Sequence, residues 1–207
     1  MSRLILSRPT LFRVRLLVVS AQSCPVLRRA QEFVSKMFAK RWLPPGILFF
    51  HGNGEVACDY DGVAPLYKKT DVSLFVADFR GYGRSDGRPG FSSMLVDAHP
   101  IFETFRRVLR ERGHTGPIVL MGRSLGVYST IELALHYTKE IVGIIVENGA
   151  ARMARLLSLF GPSMPTEEVK RLEAAILSRV RSITIPVLII HGEYDSLIPA
   201  SEAVWLH

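Results

Sequence analysis

The sequence predicts a doubly wound α/β domain built on a mostly parallel sheet. Three observations predict it. Five short apolar runs rich in β-branched residues recur along the chain, amphipathic helical stretches separate them, and a Gly-x-Ser-x-Gly pentad stands where one apolar run gives way to a helix. Continuous apolar runs read as strands covered on both faces, which is the signature of parallel sheets, and strand–helix alternation implies right-handed crossovers. A chain of 207 residues fits one domain, and at that size folding buries roughly 70% of the surface that the unfolded chain exposes.

Residues 1–45 read as a basic arm. Residues 1–41 hold nine Lys and Arg and one acid, Glu32, whereas the remainder holds 17 bases against 18 acids. The net charge of +7 therefore belongs to the arm and not to the body. With no aromatic interleaving and no nucleic-acid module, the charge points to no nucleic-acid partner. The Arg-, Ser- and Leu-rich composition resembles that of a targeting segment. A misassigned start, or an additional edge strand in "FRVRLLVVS", is the plainer reading and is preferred to it. No stretch approaches the ~20 apolar residues of a membrane span. Two cysteines, Cys24 and Cys58, suggest neither a disulfide framework nor a metal site, so a reducing, cytoplasmic setting is expected.

The domain proper is read as residues 46–207. Its strands are "ILFF" (47–50), "VSLFVA" (72–77), "PIVLM" (117–121), "IVGIIV" (141–146) and "PVLII" (186–190). Met94, Leu95, Ala98, Ile101, Phe102, Phe105, Val108 and Leu109 trace one face of a helix, with Ser92 or Ser93 as expected N-cap and Gly113 as expected stop. After the pentad, Val127, Ile131, Ala134 and Leu135 continue the helical period. Residues 150–184 break the rhythm. Two amphipathic pieces fill that interval, one with Met153, Leu156, Leu157 and Phe160, the other with Val169, Leu172, Ile176, Leu177 and Val180. They read as a small lid-like insertion.

The pentad is Gly122-Arg123-Ser124-Leu125-Gly126. A serine hydroxyl becomes a useful nucleophile when a base takes its proton and donors stabilise the oxyanion formed by its attack. A sharp strand-to-helix turn exposes the hydroxyl but brings the positions two before and two after into collision, which Gly122 and Gly126 avoid. The same turn aims the Leu125 N–H, at a helix amino end, toward the developing charge. The duller reading is a capping serine.

With these residues the chain resembles the α/β-hydrolase superfamily, in its lipase/esterase-like and serine aminopeptidase-like branch, from about residue 46 onward. "FFHGNGE" resembles the family's oxyanion loop after its third strand, which makes the Asn53 N–H the second donor. "DFRGYGRSDG" (78–87) resembles the loop after the fourth strand. "GRSLG" matches the nucleophile elbow. "IIHGEYDSLIP" matches the segment after the seventh strand and makes Asp195 the triad acid, with Glu193 as a rival. The insertion at 150–184 then falls between the sixth and seventh family strands. Gly81, Gly83 and Gly87 follow a strand as a dinucleotide loop would, but their spacing is one residue too long for that fingerprint. No cofactor or metal is expected.

The resemblance also implies a histidine after the acid, on a loop beyond one more strand. Only His207 follows Asp195. The sequence is therefore read as ending before the last strand and general base, or as a degenerate relative, with "PVLII" left as an open edge prone to association. His99, His114 and His136 fall in the wrong order, and His51 and His191 precede glycine where a histidine orients a loop. Loss of a triad histidine costs on the order of 10⁶ in turnover, leaving the roughly 10³–10⁴ over water that the oxyanion hole and binding supply. The expected activity is hydrolysis of a carboxylic ester or related acyl bond on a small-molecule substrate, through an acyl-enzyme on Ser124. The alternative is a non-catalytic binding or interaction protein that keeps the elbow as scaffold. Substrate identity and oligomeric state are not written in these motifs.

Overall fold

The computed structural model describes residues 14–18, 44–67, 72–149 and 166–202. Six strands form one sheet: β1 (Val14–Val18), β2 (Gly46–Phe50), β3 (Ser73–Ala77), β4 (Ile118–Arg123), β5 (Ile141–Glu147) and β6 (Val187–Ile190). Their spatial order is β1-β3-β2-β4-β5-β6. The five strands expected from the apolar runs are all present and mutually parallel. The sixth, β1, is antiparallel to β3, with Val14 opposite Ala77. It lies within "FRVRLLVVS", in the part of the arm for which an edge strand was one of the open readings.

Alternation along each strand divides the core into two layers. Leu48, Phe50, Phe75 and Leu120 face one side of the sheet, and Ile47, Phe49, Leu74, Val76, Val119 and Met121 the other. On the first side lie helices α2 (Phe91–Glu111) and α3 (Gly126–His136); on the second, a 3₁₀ turn (Ala57–Tyr60) and the short α1 (Ala64–Tyr67) contribute Ala57 and Tyr67. Phe75 of β3 meets Phe105 of α2 edge to face, with centroids 4.7 Å apart. Aromatic pairs of this geometry add to plain area burial.

Helix α2 buries the expected stripe from Met94 to Leu109. Its start differs from expectation. Gly90 is the N-cap, and the Ser93 hydroxyl donates to the Gly90 carbonyl at 2.8 Å instead of accepting an orphan N–H, because Phe91 and Ser92 are already helical. Its end is as expected: Gly113, at φ 70°, donates to Arg110 at 3.0 Å and His114 donates to Leu109 at 2.9 Å. That pair of bonds is the Schellman arrangement, which favours glycine at the left-handed position. Asp97, on the same helix, is buried and takes a two-pronged ion pair from Arg80 at 2.6 and 2.8 Å, which anchors the loop after β3.

Helix α4 (Thr166–Arg181) carries the second amphipathic piece of the insertion, and its Ile176 and Val180 pack against the main core. The first piece, with Met153, Leu156, Leu157 and Phe160, lies outside the described residues, as does His207. Among the described residues β6 is bonded on one side only, to β5, and its Val187 is exposed. No helix of the described residues is long and apolar enough to cross a membrane.

Candidate active site

Because β2 to β6 run parallel, the loops that follow them gather at one edge of the sheet. Ligand sites of open α/β sheets form at that carboxyl edge. The loops bearing Asn53, Ser124 and Asp195 follow β2, β4 and β6 and so lie along that edge.

Ser124 closes β4 and opens α3. It is one of only two non-glycine residues with positive φ among the described residues, at 49°. A left-handed serine carries backbone strain of roughly 1–3 kcal/mol and persists only where its surroundings over-determine it. Here they do. Its N–H donates to Glu147 of β5 at 2.9 Å, and its carbonyl accepts from Val127 at 3.2 Å. A Cβ on Gly122 would lie 2.5 Å from Thr130 Oγ1 and 2.6 Å from the Gly126 carbonyl oxygen. One on Gly126 would lie 2.1 Å from the Phe50 carbonyl oxygen and 2.7 Å from that of His51. Both glycines are therefore required by contact. The second contact also presses α3 directly against the end of β2.

That contact sets the loop bearing Asn53 beside the elbow. Leu125 is the N-cap of α3, so its N–H lies at the helix amino end. The backbone at Gly52 is held by Glu55, whose Oε2 accepts from Gly52 N–H at 2.7 Å and from the Tyr60 hydroxyl at 2.6 Å. Glu55 Oε1 lies 3.4 Å from Arg123, the residue before Ser124. Burial works against the Arg123 charge, but Glu147, Glu55 and Tyr60 hold its pKa above the ordinary value. Burial, then the bond to Glu55, push the Tyr60 phenol well upward, so it stays a donor. One carboxylate thus braces both the loop of Asn53 and the elbow. The Asn53 side chain accepts from the Tyr82 hydroxyl, which ties it to the loop after β3.

Asp78, buried at the end of β3, completes this packing. Its Oδ1 accepts from Ala57 N–H at 2.7 Å, and a Cβ on Gly83, at φ 54°, would lie 2.4 Å from its Oδ2. The glycine-rich turn is folded around its own carboxylate. His51 is fully buried; its Nδ1 lies 2.8 Å from the Gly52 carbonyl and its ring lies against Phe79 and Tyr82. It orients the loop.

Asp195 follows β6. Its Oδ1 accepts from Leu197 and Ile198 N–H, each at 2.9 Å, and its Oδ2 accepts from Asn148 Nδ2 at 2.8 Å. Asn148 follows Glu147 on β5 and is the other residue with positive φ, at 46°. Its Oδ1 in turn accepts from Gly192 N–H at 3.0 Å. The rival acid, Glu193, is exposed on the same loop. His191 points away from a base role, with Nε2 2.7 Å from the Ile198 carbonyl. Sequence reasoning missed Asn148, Glu55 and Arg123. A local signal existed for the first, since Asn before Gly after a strand favours the left-handed region.

Comparison with known proteins agrees with this architecture. A family model described as "Serine aminopeptidase, S33" matches residues 45–172. The curated protein "Alpha/beta hydrolase domain-containing protein 17C" of Xenopus tropicalis is 29% identical over 167 residues, covering 78% of this chain and 50% of its own length. Its human counterpart is 28% identical over 167 residues, with 78% and 47% covered. The chain thus spans about half the length of the curated relatives it matches. Among solved structures, Est1E of Butyrivibrio proteoclasticus superposes with a TM-score of 0.62 at 17% identity, covering 94% of this chain and 80% of that one. The monoacylglycerol lipase of Paleococcus ferrophilus gives 0.57 at 19%, covering 79% and 80%. With its sheet order and the family match over residues 45–172, this chain belongs to the serine aminopeptidase S33 family of α/β hydrolases.

Proposed function

We propose that this chain carries the nucleophile and oxyanion machinery of a serine hydrolase that cleaves a carboxylic ester or related acyl bond. The observation that supports it most is the left-handed Ser124 between two obligatory glycines, of which Gly126 packs against the Phe50 and His51 carbonyls. Ser124 Oγ gives its proton to a general base as it attacks the acyl carbon, the base passes that proton to the departing alcohol or amine, and water then hydrolyses the acyl-enzyme. The N–H groups of Asn53 and Leu125 hold the oxyanion, a role worth about 10²–10³ in turnover for each donor. Asp195 is the carboxylate that orients the base. The described histidines serve other ends: His51 and His191 are bonded within loops, and His114 lies in the α2–β4 connection at the opposite edge of the sheet. His99 and His136 meet each other between α2 and α3.

A fluorophosphonate probe tests the proposal. Covalent labelling of the chain that disappears in Ser124→Ala supports it. Absence of labelling, in this chain and in one extended to the length of its relatives, would favour a binding protein that retains the elbow as scaffold.

A further inference from the structure

Away from the sheet edge, three side chains with metal-ligand chemistry converge between α2 and α3: His99 on the first helix, Glu132 and His136 on the second. Helix α3 starts at the elbow, so its rise of about 1.5 Å per residue carries His136 some 15 Å from Gly126. The cluster is separate from Ser124.

The two spacings from Glu132 and the separation of the two rings are those of a tetrahedral ion. With metal–ligand bonds of about 2.0–2.1 Å, ligand atoms lie about 3.3 Å apart, and two imidazoles on one ion have centroids about 5.2 Å apart. Glu132 Oε1 lies 3.4 Å from His99 Nε2 and 3.2 Å from His136 Nδ1. The two rings have centroids 5.0 Å apart and are nearly perpendicular, at 83°. All three ligand atoms lie within 4.8 Å of one another.

The surroundings are those of oriented ligands. His99 Nδ1 meets the Tyr137 hydroxyl at 3.2 Å, which fixes the ring with Nε2 toward Glu132. Glu132 turns Oε2 to Arg179 of α4, leaving Oε1 for the histidines. Groups of this kind, bonded to the far side of a ligand, set its orientation and basicity. One contact has to be exchanged. His136 Nδ1 lies 2.8 Å from the Glu132 carbonyl, and as a ligand that ring takes the tautomer protonated at Nε2. His136 is half exposed, which leaves room for that adjustment and opens the fourth position to water.

We propose that His99 Nε2, Glu132 Oε1 and His136 Nδ1 form a binding site for a divalent first-row transition ion, zinc above all. Two imidazoles and a carboxylate suit zinc, whereas magnesium prefers an octahedron of oxygens. The ion clasps α2 to α3 and, through Arg179 on Glu132, engages the insertion helix α4.

Zinc titration of the complete chain by calorimetry tests this. The expected result is one saturable site, weakened about 10- to 100-fold or more in His99→Ala, Glu132→Gln and His136→Ala, and about tenfold in Tyr137→Phe. Zinc should also raise the thermal midpoint of the wild-type chain but not that of His136→Ala, a change at a half-exposed side chain. Cobalt(II) should give the intense visible bands of a four-coordinate ion. Absence of a one-to-one site, or zinc binding undiminished in His136→Ala, would overturn the proposal, as would displacement by equimolar magnesium.

Discussion

The carbonyl oxygen of Phe50 stands 2.1 Å from the place a Cβ on Gly126 would occupy. Strand β2 and helix α3 therefore meet backbone to backbone, and that contact holds the Asn53 loop against the elbow. No flexible side chain can yield there. Gly126→Ala should lower stability by about 3 kcal/mol, the upper part of the range for overpacking. Thermal unfolding followed by circular dichroism should show a midpoint lower by about 10 °C. An unchanged midpoint would mean that the two backbones are not in contact.

Ser124 offers a test in the opposite direction. Its φ of 49° strains any side-chain-bearing residue but not glycine. Ser124→Gly should stabilise the fold by about 1 kcal/mol while abolishing probe labelling. Ser124→Ala should lose labelling without that gain. Equal midpoints for the two variants, from chemical denaturation, would show that the elbow is not strained.

Asn148 joins two loops through one amide, donating to Asp195 and accepting from Gly192. Asn148→Ala removes a bond to a carboxylate, worth about 1.5–3 kcal/mol, and adds a left-handed alanine. Asn148→Gly relieves the second effect alone. Both should accelerate proteolytic cleavage near residues 192–198, with Asn148→Ala the less stable of the two. Cleavage at the wild-type rate in both would dismiss the clamp.

Glu147 gives the fold a pH signature. Burial raises its pKa, Arg123 opposes the shift and Glu55 adds to it, with a net upward result. The folded carboxyl thus holds its proton more tightly than the unfolded one. Its contribution is fully present below the ordinary glutamate range and is lost as pH rises through the raised folded value. Glu147→Gln should therefore raise the thermal midpoint at neutral pH, and the gain should vanish in acid. A variant less stable than wild type at pH 7 would show that the attraction of Arg123 outweighs the burial.

Much of the fold was legible in the sequence because its signals are local. Continuous apolar runs marked all five parallel strands, a 3.6-residue period marked α2 and α3, and Gly113 marked the end of α2. The pentad named Ser124 and its glycines because close packing at a sharp turn leaves residues two positions away no alternative. The start of α2 was misread for an equally local reason: Ser93 had a nearer acceptor in Gly90.

What tertiary structure alone decided are the contacts that close over long sequence distances. The order β3-β2-β4-β5-β6 places Asn148 beside Asp195 across 47 residues, and the stacking of α2 on α3 places His99 beside Glu132 across 33. Periodicity tells a residue which face it is on but not which neighbour it meets. Glu55, Arg123, Asn148 and the histidine pair therefore acquire their meaning only when the sheet assembles and brings separate loops and helices together.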